Sequence, residues 1–404
     1  MFASSSLRRD TKVNALIGAA HFLSHFYALC LPPVFLVWQK GFGIPYAEVG
    51  LSVAVMATAT AVAQTPVGFL VDRFGARVFL FGGALLMALS IAAMGLAAAF
   101  WQIVLLALLA GLGNAVFHPA DYAILSGSVA RERLARSFAL HTFNGYVGFA
   151  AAPPVTAALL LVIGWRESLL LLGLLGVPVA LVILWQGRIL SEETSIRAYG
   201  QTSRTAVRSF LLTRPMLLFC GFYLVGSMAS AGIQSWLITV LHQSQGMALA
   251  TATSALTGFL VASLAGTLAG GWLADRSKRH LAHIAVLSVA AAALVVLVGI
   301  APLSDLAIFA VLSAAGLLSG IIRTPRDMMV KDAAPAGDTG KAFGFVSAGL
   351  SLGSAIAPVP YGFLIDAGRP RLVLVAVAAL LVVSVFFAAG GRLRRRRDAP
   401  LAAE

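Results

Sequence analysis

The segment FHPAD, residues 117–121, sets a histidine, a proline and an aspartate inside an apolar run. On a helix His118 and Asp121 stand three positions apart and share a face. Pro119 withholds one backbone donor and leaves the carbonyl of Ala115 without its usual partner, which bends the helix there. By insertion scales a charged side chain at the bilayer centre costs about 2.5–3.5 kcal/mol, so Asp121 should face water, be paired or carry a proton. A loop arginine, Arg131 or Arg133, is the alternative partner, because the site falls in the cytoplasmic half of its span. Histidine changes charge near neutral pH, so the pair suits proton transfer or contact with a polar ligand.

Further polar residues fall at comparable depth. His21 and His25 are spaced i,i+4, His141 and Asn144 i,i+3, and Arg323 and Asp327 i,i+4. Arg323 reads either as the charge partner of Asp327 or as a contact for an anionic ligand. Gln64 and Gln234 are lone amides that serve as packing glue between helices or as ligand contacts. Four histidines raise the question of zinc, but the His21/His25 pair has no matched carboxylate at helix spacing, so no metal site is expected. No nucleophile and base pair stands out and no Gly-Lys-Ser/Thr phosphate loop is present. The expectation is therefore neither an enzyme nor an ATP-driven pump, and no cofactor.

These residues sit in a chain of 404 residues that is 59% hydrophobic and only 11% charged. Its mean hydropathy is +0.91, far from that of a soluble domain. Apolar runs of about 20 residues, enough to cross a hydrocarbon core of about 30 Å, recur along its length. Twelve such runs fall between residues 14 and 390. They are too long and continuous for the strands of an outer-membrane barrel, so the fold class is an all-α membrane protein of twelve transmembrane helices. Cys30 and Cys220 lie inside spans and suggest no disulfide framework.

With the N-terminus inside, 23 of the 29 Lys and Arg fall on inner segments and only Lys40, Arg166, Arg369 and Arg371 on outer ones. This bias predicts a multi-pass protein of a bacterial-type inner membrane with both termini cytoplasmic. The net charge of +13 is thereby a matter of topology, and no nucleic-acid partner is expected. The expected partners are a small-molecule substrate, a coupling proton or other ion, and the lipid bilayer, with a monomeric chain.

The longest polar interruption divides the chain into a six-helix bundle (1–186), a cytoplasmic linker (187–214), a second six-helix bundle (215–390) and a basic tail (391–404). Features recur in order in both halves. GFLVDRFGAR (68–77) matches GGWLADRSKR (270–279), with Asp72 and Asp275 offset by 203. FHPAD matches RTPRD, with Pro119 and Asp121 each 206 residues before Pro325 and Asp327. Phe138 and Pro153 precede Phe343 and Pro358 by 205. A duplicated bundle explains this register.

Gly68, Leu70, Asp72, Arg73, Gly75 and Arg77 form the loop pattern G-x-L-x-D-R-x-G-x-R/K, with a degenerate copy at Asp275 and Arg276. In this respect the chain resembles the major facilitator superfamily. The resemblance implies two pseudo-symmetric six-helix bundles around a cavity that opens alternately to either side, lined by spans one, four, seven and ten. Gly68, Asp72, Arg73, Gly75, Arg77, Asp275 and Arg276 would form the conformational gate. The stretches AHFLSHFYALCLPP and GLGNAVFHPAD look like fosmidomycin-resistance-type transporters, although Ala120 separates the proline from the acidic residue.

The function implied is secondary transport of a small molecule, driven by an ion gradient with the proton foremost. His25, His118, Asp121, His141, Asn144, Arg323 and Asp327 are the candidate substrate or proton pathway, followed by His21, Gln64 and Gln234. Efflux of a drug-like or toxic compound is favoured by the subgroup resemblance. Uptake of a small organic anion is the alternative, favoured by Arg323, Arg326 and the absence of an arginine at Ala107, where many drug:proton antiporters carry one. A sensor or assembly protein that keeps the fold without transporting is the reading from another class.

Overall fold

The computed structural model describes residues 2–190, 211–334 and 339–393. Among these the chain is helical, with no strand. The first half holds α1 (Phe2–Leu29), α2 (Phe35–Phe42), α3 (Tyr46–Phe74), α4 (Ala76–Met94), α5 (Phe100–Asn114), α6 (Phe117–Ser128) and α7 (Arg131–Gln186). The second holds α8 (Arg214–Gln245), α9 (Leu249–Arg276), α10 (His280–Ile300), α11 (Asp305–Ala333), α12 (Thr339–Ile356), α13 (Pro358–Asp366) and α14 (Arg371–Leu393).

Eleven helical stretches among the described residues are long and apolar enough to cross a membrane. One of them, α7, has 56 residues and is broken at Gly164, whose φ of 80° interrupts the helix. At about 1.5 Å per residue it is long enough for two crossings, which brings the spans to twelve. The break lies in the sequence GWRES, where Arg166 donates to the carbonyls of Gly95 (3.2 Å) and Ala97 (2.6 Å) and so ties this turn to the end of α4.

Proline sets the other interruptions. Pro32 and Pro33 convert the end of span one into a short 3-10 turn before α2, and Pro358 opens α13 after the break at Ala357. Pro119 lies in the first turn of α6, where its missing donor is tolerated. The helix is interrupted at Ala115 and Val116, three to four residues upstream of the proline. The corresponding Pro325 sits inside the continuous helix α11.

The chain forms two compact units. The first contains α1–α7, and the second α8, α9 from Ser254 onward, and α10–α14; the opening of α9, through Thr253, groups with the first. Most of the expected linker and tail, residues 191–210 and 394–404, lies outside the described residues.

Each unit is held by the same kind of contact at matching places. In the first, a Cβ at Gly111 of α5 would lie 2.3 Å from the carbonyl oxygen of Met56 in α3, and one at Gly148 of α7 2.3 Å from that of Phe22 in α1. In the second, a Cβ at Gly316 of α11 would strike the carbonyl oxygen of Phe259 in α9, and one at Gly353 of α12 that of Leu224 in α8. Backbones approach this closely only without a side chain between them, which is how helices pack where lipid supplies no hydrophobic drive. Buried rings add hydrogen-bonded ties: Tyr27 donates to the carbonyl of Leu172 (3.0 Å), and Trp236 to that of Pro358 (2.9 Å).

Candidate functional site

In the first unit, α1, α6 and α7 bring four histidines and one aspartate together. His141 Nε2 lies 2.9 Å from Asp121 Oδ2, and His21 Nδ1 lies 3.5 Å from the same oxygen. His21 stacks on His141 with ring centroids 3.6 Å apart and an interplanar angle of 22°. His25 is 4.5 Å from His21 by centroids, and His118 is 5.2 Å from it. His21, Asp121 and His141 are buried, while His25 and His118 are half-buried. Asp121 Oδ1, His21 Nδ1, His25 Nδ1 and His141 Nδ1 are buried and have no hydrogen-bond partner among the described residues.

Helix geometry explains part of this cluster. His21 and His25 share a face of α1, so one neighbouring helix meets both. The neighbour is α7, where Gly145 makes room: a Cβ there would fall 2.8 Å from His21 Nε2 and 3.0 Å from His25 Cε1. One turn away from His141, Asn144 packs its amide against Gly18 of α1. The break before Phe117 sets α6 so that Asp121 faces His141 across the helix interface.

Asp121 therefore takes His141 as its partner, where the sequence offered Arg131 or Arg133. Arg133 instead holds Asp10, donating from Nε at 2.7 Å and Nη2 at 2.6 Å. Asp10 is buried although it lies in the basic N-terminal stretch RRDTK. A carboxylate flanked by three basic residues gives no sign of burial until the loop before α7 folds over it.

In the second unit Asp327 accepts from Tyr223 Oη at 2.5 Å and from Arg326 Nε at 2.9 Å. The Arg326 guanidinium lies over the Tyr223 ring at 4.1 Å. Arg323 donates to Thr267 Oγ1 at 3.2 Å. Asp327 thus pairs with the adjacent Arg326, whose guanidinium stacks on the ring of Tyr223 of α8. Tyr223 carried no signal in the apolar sequence of α8. A cavity of about 90 Å³ lies between these helices, lined by Arg323, Arg326, Gln234, Ser230, Ser319 and Ser384 among others. Two guanidiniums and one lone amide converge there with hydroxyl groups in an apolar bundle.

The loop-motif residues lie at or near helix ends. Gly75, with φ 100°, makes the turn from α3 to α4, and Gly68 faces Pro119 of α6. Arg77 donates to the carbonyl of Leu184 at 2.8 Å near the end of α7. Asp72 and Arg73 are exposed, as are Asp275 and Arg276, whose guanidinium lies over the Trp272 ring at 4.1 Å. Gln64 lies half-buried on α3.

Two bundles of membrane-length helices, kinked at proline and packed through glycine, define a class of multi-pass membrane protein. The profile of the Major Facilitator Superfamily matches residues 17–255 and 237–404, and the chain belongs to that superfamily. It is similar to a probable L-galactonate transporter of Escherichia coli, 28% identical over 47% of this chain and 44% of that one. The membrane sensor protein UhpC of the same organism is 24% identical, over 57% and 56%. The fosmidomycin resistance protein of E. coli is 24% identical over 69% of each chain. The chain thus spans about half the length of the first two of these relatives. In structure it is similar to a bacterial homologue of the human lysosomal transporter Spinster in an inward-facing, unoccupied conformation. That likeness has a TM-score of 0.82 at 14% identity and covers 95% of this chain and 97% of the other, which establishes the fold.

Proposed function

We propose that the protein is a secondary transporter of a small organic anion, coupled to protons and working by alternating access of its two bundles. The observation that carries this reading is the cavity in the second unit, where the side chains of Arg323 and Arg326 converge with Gln234 and serine hydroxyls. The two guanidiniums and the hydroxyl groups beside them suit a carboxylate or phosphonate bearing further polar groups. Coupling falls to the buried cluster of the first unit, with Asp121 as the group that changes protonation and His25, His118 and His141 as its relay. Gln234 completes the lining of the cavity in the second unit and Asn144 stands beside the cluster in the first, while Asp72 and Asp275 with their arginines gate the inner ends. The residues act in a bacterial-type inner membrane with both termini cytoplasmic, and a monomer suffices.

The test is transport into liposomes loaded with purified protein, using a sugar acid as the first probe. A proton gradient should drive its accumulation, and Arg323→Gln should raise the half-saturating concentration. Loss of one charge-assisted contact of about 1.5–3 kcal/mol corresponds to roughly a 10- to 150-fold change. Asp121→Asn should abolish gradient-driven accumulation yet keep counterflow. Equal loss of both would move Asp121 from coupling to substrate binding or gating.

Efflux of a toxic anion is the second reading, favoured by the likeness to the fosmidomycin resistance protein over 69% of the chain. Cells expressing the protein would then lose preloaded compound faster and survive it better. A sensor role is the third, favoured by the likeness to UhpC. Liposomes that bind the probe but never move it would support that role.

A further inference from the structure

We propose that His21, Asp121 and His141 form a binding site for one transition-metal dication of the Zn²⁺ or Co²⁺ class. The site lies wholly within the first unit, and it stands or falls independently of the anion cavity in the second. It shares Asp121 with the coupling role given above.

The geometry of the donor atoms carries the inference. One donor atom from each of His21, Asp121 and His141 lies within 4.8 Å of the other two. A tetrahedral zinc ion with ligand bonds of about 2.0–2.2 Å holds its donors about 3.3 Å apart. The two separations involving Asp121, 3.5 and 2.9 Å, bracket that value. Two imidazoles and one carboxylate are a known donor set for zinc, and they leave a fourth position open for water or a ligand.

Burial supplies a second, independent observation. Asp121 Oδ1 and His21 Nδ1 are buried without a hydrogen-bond partner among the described residues, although such groups are ordinarily satisfied. A cation between Asp121 and His21 engages the second of these directly and offsets the charge of the carboxylate. Sulfur ligands are absent from the cluster, which argues for a borderline metal over copper(I). Helix spacing could not announce the site, because its three donors come from α1, α6 and α7. The expectation of no metal rested on a search along one helix, where a carboxylate partner for His21 and His25 is indeed missing.

The decisive experiment titrates Co²⁺ into metal-stripped, untagged full-length protein in detergent micelles. Visible absorption reports the coordination, and elemental analysis the stoichiometry. One ion per chain, a band of four- or five-coordinate intensity, and displacement by Zn²⁺ are expected. His21→Ala, His141→Ala and Asp121→Asn should each weaken Co²⁺ binding roughly tenfold or more, whereas His242→Ala, in the second unit, should leave it unchanged. Should a variant fail to fold, the wild-type protein still decides the matter: Zn²⁺ should raise its thermal midpoint saturably at one equivalent. No Co²⁺ band and no shift of the midpoint overturns the proposal, as does binding that survives in the folded His21→Ala/His141→Ala protein. Proton-driven accumulation without metal binding removes this site and leaves the transport reading standing. Metal binding in a protein whose Asp121→Asn variant still accumulates substrate does the reverse.

Discussion

At the scale of single residues, the central arrangement is one carboxylate shared by two imidazoles. Asp121 is fully buried, and His141 and His21 approach the same oxygen, so replacing either ring changes the environment of the other two groups. Gly145 is the silent member of this group. Its missing side chain is what lets His21 and His25 lie against α7, and a methyl group there would meet ring atoms already confined by stacking. We expect Gly145→Ala to displace those rings, weaken Co²⁺ binding roughly tenfold and destabilise the fold by about 1–3 kcal/mol. Parallel cobalt titration and thermal unfolding of the variant check this, and an unchanged cobalt affinity would remove Gly145 from the site. In the second unit the corresponding lesson is Tyr223, which holds Asp327 by its hydroxyl and Arg326 by its ring. Arg323, one turn along, donates to Thr267 and lines the cavity.

At the scale of elements, position depends on where helices break and where they touch. Pro119 interrupts span four between α5 and α6, and Gly164 splits α7 into two crossings. The breaks leave carbonyls and donors to be satisfied by neighbours, as Arg166 does at the end of α4. Close contacts then set the separation of the helices that carry the site. At Gly148 any side chain would strike the backbone carbonyl of Phe22, an atom that cannot move without moving α1. Gly148→Ala should therefore push α1 from α7 and cost about 1–3 kcal/mol of stability, read as a lower unfolding midpoint in micelles. A midpoint equal to the wild type would mean the interface has slack. Gly353, which meets the carbonyl of Leu224 in the second unit, should respond in the same way, since the two contacts occupy matching places.

At the scale of the whole molecule, the charge asymmetry makes a prediction of its own. With 23 of the 29 basic residues on one set of segments, reporter fusions at residue 1 and after residue 404 should both read as cytoplasmic. A fusion after Lys40 should read as external. A cytoplasmic reading there would invert the assignment of every loop and with it the placement of Asp72 and Asp275 as inner gate residues. Membership of the superfamily agrees with two bundles of six crossings.

Much of this was written in the sequence. Long apolar runs can only be helices in lipid, because each backbone group must find its partner within its own segment. The recurrence of D-R motifs, of Pro119 with Pro325 and of Asp121 with Asp327 announced a duplicated bundle before any helix was placed. Proline chemistry predicted the break ahead of FHPAD, and the i,i+4 spacing put His21 and His25 on one face. What the sequence did not reveal were relations between helices. Asp121 bonds to His141 on another helix, while Arg133, nearer in sequence, closes on Asp10 more than a hundred positions away. Periodicity reports which face of one helix is polar and is blind to which face of another it meets. The packing of α1 and α6 against α7, through glycines that carry no chemistry of their own, decided that three polar helix faces became one site.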